Sequence, residues 1–239
     1  MSRSKWLALT PVLPEEAAIE RLAQSFASLD ALCDITWIDA LAFDNPHQSS
    51  AQFYQAWQVF LSEQEASYTG FMGLSLGGVI LQQCLPTLTT PKPILLFSTP
   101  SYIDDILACI LKKVIRLARN DQTTTALNYL YQHVYCNYQP QDLAEQVAPT
   151  SRVRLISGLN KVLAGDTRAF CTANIHPGLH FIGACSKLVK HRHALPAPNI
   201  KLITVPDAGM RVFEDNPAFC LANITLFITS LVRRYLEVI

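Results

Sequence analysis

The chain has 239 residues, half of them apolar and 16% charged, with 19 basic side chains balanced by 19 acidic ones. This length and apolar content suit a large core, built as one big α/β domain or two small ones. Zero net charge gives no electrostatic footprint for nucleic acid or an acidic membrane surface, and no apolar run reaches the roughly 18 residues that a membrane-spanning helix needs.

The start, Met1-Ser2-Arg3-Ser4-Lys5, leads into an apolar run that meets a proline at once, too short for a signal peptide. Seven cysteines, at 33, 84, 109, 136, 171, 185 and 220, form no C-x-x-C pair and mostly sit in apolar runs. They read as reduced, packed thiols of a cytoplasmic protein.

In chain order, Trp6 to Val12 predicts a short buried strand. Pro14 with Glu15 and Glu16 predicts a helix start, since proline suits the first turn and carboxylates suit its positive end. Ile19, Leu22, Ala23 and Phe26 would form that helix's buried stripe. Ile35 to Ile38 reads as the second strand, Asp44-Asn45-Pro46 as a loop, and Phe53, Trp57, Phe60 and Leu61 as the apolar face of a helix.

Tyr68 to Ser75 is the third strand, and it runs into Gly73-Leu74-Ser75-Leu76-Gly77 and an apolar helical run from Val79 to Leu85. This is G-x-S-x-G in a strand–turn–helix setting, the nucleophile elbow. The turn is so sharp that only glycine fits on either side of the serine. Ser75 is then the nucleophile position, and the next amide, Leu76 N–H, points at an oxyanion. Pro93 to Phe97 reads as the fourth strand.

From about Tyr102 to Asn174 the periodicity is helical, with no strand signal. Strands resume at His180 to Ala184 and Lys201 to Val205, and Asn216-Pro217 starts a last helix carrying Phe219, Ile224, Phe227 and Ile228. Alternation of strand and helix outside the insert predicts a parallel sheet covered on both faces.

With these motifs the chain resembles the α/β-hydrolase family, and within it the small carboxylesterases of the biotin pathway, which cleave the methyl ester of pimeloyl-carrier protein. Beside the elbow, Ser98-Thr99-Pro100-Ser101-Tyr102 resembles the family's S-S-P-x-F segment. Gly158-Leu159 with Leu163, Asp166 and Arg168 resembles its return from the lid. Phe181-Ile182-Gly183-Ala184-Cys185-Ser186-Lys187-Leu188-Val189 resembles the strand end that bears the acid. Val205-Pro206-Asp207-Ala208-Gly209-Met210 with Pro217-Ala218-Phe219 resembles the segment that bears the histidine.

The resemblance implies a three-layer α/β sandwich with a mostly parallel sheet that lacks the family's first hairpin. Residues 1–101 and 175–239 would form the core, and 102–174 a helical lid. It also implies an apolar pocket lined by Thr10, Val12, Leu76, Tyr102, Ile106 and Tyr131, with Thr10 and Tyr102 touching the ligand and the Leu76 and Val12 amides forming the oxyanion hole. An acyl ligand or an acidic acyl-carrier protein would be the partner, the latter meeting Lys112, Lys113, Arg116 and Arg119 on one helical face that otherwise is simply solvated. No cofactor is implied.

Three positions depart from the pattern. The acid position holds Ser186, the base position holds Met210, and the H-G after the first strand reads Thr10-Pro11. A serine hydroxyl is a poor nucleophile unless a histidine takes its proton and a carboxylate fixes that histidine's tautomer. Methionine accepts no proton and serine carries no charge, so Ser75 should be close to silent by the usual route.

Of the six histidines, His191 and His193 are the best-placed substitutes, following Ser186 at the sheet's carboxyl edge; the stretch Lys187 to His193 also reads as a basic solvated loop. His180 lies at a strand start, His47 in a loop, and His133 in the insert. Asp104 and Asp105 read as charges in the first turn of a helix. His191-Arg192-His193 offers too few donors for zinc. Two functions follow: a degenerate hydrolase that acts by binding, or an active carboxylesterase or thioesterase on acyl esters with a relocated base.

Overall fold

Six short apolar runs form the strands β1 (Ser4–Leu9), β2 (Cys33–Ile38), β3 (Gly70–Leu74), β4 (Ile94–Phe97), β5 (Gly178–Gly183) and β6 (Ile200–Val205). The computed structural model describes residues 3–45, 47–136 and 148–236. Met1, Ser2, the expected loop residue Pro46 and residues 137–147 of the expected lid lie outside them.

Every strand pairing is parallel, in the order β2-β1-β3-β4-β5-β6. No antiparallel strand occurs among the described residues. All carboxyl ends therefore share one edge. The order reverses between β1 and β3, and an open parallel sheet binds its ligands in the crevice at such a switch point. Ser75, directly after β3, and the loop after β1 both lie there.

Strand residues alternate between two cores. Leu7, Leu9, Phe71, Leu96 and Ile182 face one side, where α2 (Ser50–Gln64) and α3 (Leu76–Cys84) pack with Phe53, Trp57, Ile80 and Leu81. Trp6, Ala8, Met72, Leu95, Phe97 and Phe181 face the other, against α1 (Ala18–Ser25), α8 (Val212–Asp215) and α9 (Pro217–Leu236). Phe26 stacks on Phe213 with centroids 4.2 Å apart, closing that second core beneath the carboxyl edge.

Between β4 and β5 run α4 (Asp105–Arg119), α5 (Thr123–Val134), α6 (Pro149–Ala164) and α7 (Arg168–Ala173). Asp104 caps α4, its carboxylate accepting Leu107 N–H at 2.8 Å. Helix α6 is bolted to the core. Arg154 pairs with Asp39 at 2.6 Å and donates to the Leu13 carbonyl, while Tyr54 donates to the Lys161 carbonyl at 2.8 Å.

The expected helix start at Pro14 is corrected. Residues 14–17 form turns in which Ala18 and Ile19 N–H reach the Glu15 and Glu16 carbonyls, an i→i+3 pattern tighter than an α-helix, and α1 begins only at Ala18. The short α8, directly after Met210, has no counterpart in the sequence reading; four residues are too few to show a period. No helix among the described residues is long and apolar enough to cross a membrane.

Candidate active site

Ser75 has φ 49° and ψ −109°, a left-handed conformation that strains any residue with a side chain. The neighbours make the turn fit. A Cβ on Gly73 would lie 2.6 Å from the Gly78 Cα, and one on Gly77 would lie 2.3 Å from the Leu9 carbonyl oxygen. The turn is held by Ser75 N–H on the Phe97 carbonyl (3.0 Å), Gly77 N–H on the Thr10 carbonyl (3.1 Å) and Val79 N–H on the Ser75 carbonyl (3.0 Å). These bonds fix the serine at the end of β3 with its side chain half-buried.

Ser75 lines a cavity of about 440 Å³ that straddles the sheet's carboxyl edge. One arm reaches into the insert, between Leu107, Leu111, Leu130, Leu159 and Val189. The other runs under α1 and α8, between Leu22, Phe26, Phe97, Val212 and Phe213. Polar side chains are few: Arg21, Tyr131, Tyr135, Arg211 and Glu214 beside Ser75 itself. Arg211 is ion-paired to Glu214 and lies over the Tyr135 ring, 4.7 Å from its centroid.

The loops that carry Ser186 and Met210 pack against each other, and of the two residues only Met210 lines the cavity. Gly183 leaves β5 so close to the loop after β6 that a Cβ there would lie 1.9 Å from the Gly209 carbonyl oxygen, and Cys185 N–H donates to the Ala208 carbonyl. Ser186 is 8% exposed, with its hydroxyl unpartnered among the described residues. Met210 lines the cavity with Ser75. No hydrogen-bond partner for the Ser75 hydroxyl occurs among the described residues, nor any acceptor for the Leu76 and Val12 amides.

The histidines are elsewhere. His193 is buried, its Nδ1 accepting Lys190 N–H at 3.0 Å and its Nε2 lying 2.9 Å from Asp104. With Nδ1 taken by Lys190, Nε2 beside Asp104 and the ring outside the cavity, His193 is not placed to take a proton from Ser75. His191 is exposed. His176 is held between Lys92 N–H and the Leu85 carbonyl, and His133 by the Tyr129 carbonyl. His180 is enclosed on β5 beside Thr99, and burial drives its pKa down to about 3. None of the six lines the cavity.

Several sequence expectations shift in detail. Val12 and Tyr131 line the cavity as expected, but Thr10, Leu76, Tyr102 and Ile106 do not. The Thr10 hydroxyl is sealed in the core, accepting Ala40 N–H at 2.9 Å. Leu76 points its side chain into the α2–α3 core, so only its amide remains for the site. Tyr102 turns its ring edge to His193, and Ile106 is exposed. The loop from Lys187 to His193 is only partly solvated: Leu188 and Val189 are buried and line the cavity. Arg21, Phe26, Phe213 and Glu214 were missed, because α1 and α8 reach the site only through the tertiary fold.

No family model matches the sequence, and no curated protein does. Solved structures match over nearly the whole chain. MGS-M2, an α/β hydrolase from a Medee basin deep-sea metagenome library, superposes with a TM-score of 0.73 at 13% identity, covering 96% of this chain and 90% of its own. The chain has the α/β-hydrolase fold. The esterase EaEST from Exiguobacterium antarcticum (TM-score 0.71, 12% identity, 96% and 93% covered) and serine hydrolase CCSP0084 from Cycloclasticus zankles (0.70, 13%, 96% and 91%) share it. In this fold the strained Ser75 stands directly after β3, at the sheet's carboxyl edge.

Proposed function

We propose that the protein binds an extended, largely apolar ligand over Ser75 and is silent, or nearly so, as a serine esterase. One observation carries this: Met210 faces the cavity with Ser75, while all six histidines lie off it. A hydroxyl without a base keeps its proton at neutral pH. Among the described residues Glu214 is the carboxylate lining the cavity, and its ion pair with Arg211 holds it in place.

The ligand class follows from the cavity. Two aliphatic and aromatic arms meet at Ser75, and Arg21 and Arg211 stand in the arm under α1 and α8. An acyl chain, free or carried as a thioester, fits this distribution of apolar wall and sparse polar groups. The exposed Lys112, Lys113, Arg116 and Arg119 of α4 would suit an acidic acyl-carrier protein. A relation to the biotin-pathway carboxylesterases rests on the motifs quoted above.

A second reading, slow hydrolysis, is favoured by the strained turn at Ser75, which costs about 1–3 kcal/mol, together with the unpaired Leu76 amide. One experiment separates the two. Turnover of p-nitrophenyl butyrate is measured for wild type and Ser75→Ala, beside fluorophosphonate labelling. Equal rates and an unlabelled Ser75 are expected. A wild-type rate that disappears in Ser75→Ala overturns the silent reading. Binding is followed with cis-parinaric acid, whose fluorescence should rise with wild type and fall several-fold in Leu111→Trp, which fills the insert arm.

A further inference from the structure

Two cysteines meet at the rim of the cavity. Cys136 follows α5, and Cys185 follows β5, one residue before Ser186. Both pack on the loop after β6. Cys185 N–H donates to the Ala208 carbonyl at 2.9 Å, and a Cβ on Gly209 would lie 2.9 Å from Cys136 N. Here glycine is required by space: any side chain at 209 would push the end of α5 away. The Cys185 thiol lies near enough to Cys136 to raise its pKa. Cys185 is exposed and Cys136 half-buried, so both are open to small oxidants, whereas Cys33, Cys84, Cys171 and Cys220 are buried.

We propose that Cys136 and Cys185 are an oxidisable pair that a peroxide joins into a disulfide, fastening the end of α5 to the β5 loop and closing the cavity over Ser75. Two thiols held by the same short loop, one against Ala208 and the other against Gly209, come to bonding distance with side-chain rotation. The link would act on the cavity directly. Val134 and Tyr135, just before Cys136, line it, and the Val134 carbonyl already accepts Met210 N–H at 3.0 Å. Joining the cysteines holds this wall against the base-position loop.

The chemistry balances with one peroxide. The Cys185 thiolate attacks a peroxide oxygen, the O–O bond breaks, one water leaves and a sulfenic acid remains. The Cys136 sulfur displaces the sulfenic oxygen as a second water, forming the S–S bond. Two thiols are oxidised and the peroxide takes both electrons. A dithiol reductant reverses the step. Burial, then the neighbouring Cys185 and Asp215, push the Cys136 thiol above its ordinary pKa, with Lys187 opposing. That makes the more exposed Cys185 the first to react, with Cys136 resolving.

The test uses the full chain and hydrogen peroxide. Peptide mapping by mass spectrometry should find a Cys136–Cys185 linked peptide that dithiothreitol separates. Entry of cis-parinaric acid in stopped flow should slow about ten-fold on oxidation, recover on reduction, and stay unchanged by peroxide in Cys185→Ser. If both thiols remain alkylatable after peroxide, or link only through Cys109 between chains, the pair is overturned. A formed link with an unaltered entry rate overturns the closure. The linkage is read by mass in wild type, so it stands or falls separately from the ligand reading.

Discussion

The Ser98 hydroxyl donates a 2.7 Å hydrogen bond to the carbonyl oxygen of Met210. Ser98 directly follows β4 with a positive φ of 46°, next to Phe97, whose carbonyl accepts the Ser75 amide. The base position is therefore pinned by backbone on both sides, from Ser98 and from Val134. Both hydrogen bonds hold the Met210 backbone, so the loop's path does not depend on which side chain stands at 210.

That pinned loop predicts what placing an acid at 186 and a base at 210 will do. Ser186→Asp alone places a carboxylate where the hydroxyl is buried and unpartnered, and should lower stability by about 1–3 kcal/mol. Met210→His should recover part of this by pairing, with a coupling of about 0.5–3 kcal/mol in a double-mutant cycle. The double variant should hydrolyse p-nitrophenyl butyrate about 10²-fold faster than wild type, far short of the roughly 10⁶ that an intact serine–histidine pair supplies. Thermal melts and ester turnover of the four proteins check both numbers. A folded double variant with no gain would show that the oxyanion donors are misplaced.

Much of this was legible in sequence for a physical reason. Each strand is a short apolar run, and the elbow is local: Gly73, Ser75 and Gly77 sit within five residues between a strand run and a helical run, and that setting reveals the turn. The Ser186 and Met210 positions came from the resemblance of their segments to the family's acid- and histidine-bearing motifs. The parts that were hidden are those assembled across distance. Nothing at Asp104 announces His193, 89 positions later in number, yet they are 2.9 Å apart. The α1 and α8 walls of the cavity depend on Phe26 stacking with Phe213, a contact without local periodicity. Tyr102, expected in the pocket, lies off it with its ring against that of His193.

The elbow's close approach predicts a sharp loss at one glycine. A Cβ on Gly78 would lie 1.8 Å from the Thr99 hydroxyl and 2.7 Å from its methyl, on a β-branched side chain that is fully buried. Gly78→Ala must push β4's end from α3 and should cost at least about 2 kcal/mol, typical of overpacking. Thr99→Ser with Gly78→Ala removes one clashing methyl and should return part of it. Denaturant midpoints of the single and double variants decide.

The bolt on α6 predicts a larger effect from a single charge. Arg154 and Asp39 are mostly buried, with side chains 18% and 8% exposed. Arg154→Ala leaves Asp39 and the Leu13 carbonyl without this donor. Breaking one partner of a buried pair costs about 3–5 kcal/mol, which for a chain of this length corresponds to about 6–20 °C in Tm. Arg154→Ala with Asp39→Ala removes both charges and should lose less than Arg154→Ala alone. Calorimetry of the two variants reads this directly; equal losses would assign the effect to the Leu13 bond and packing.

Acid stability should report on the Asp104–His193 contact. Burial raises the Asp104 carboxyl, but the Leu107 N–H, His193 and Arg192 outweigh it and hold the group at about 2. An unfolded aspartate titrates near 3.9. A folded pKa below the unfolded one means that the unfolded chain binds the proton first, so the contribution is complete above about pH 5 and is lost as pH falls toward 2. Asp104→Asn keeps a side-chain oxygen to cap α4 while removing the charge that faces His193 and Arg192. At pH 7 it should be less stable than wild type by about 1–2 kcal/mol, the value of a charge-assisted hydrogen bond. The gap should shrink steadily between pH 5 and pH 2 as wild type loses what the variant never had. Melting curves across that range test it, and a gap that stays constant with pH would show that the carboxylate's charge plays no part in anchoring α4.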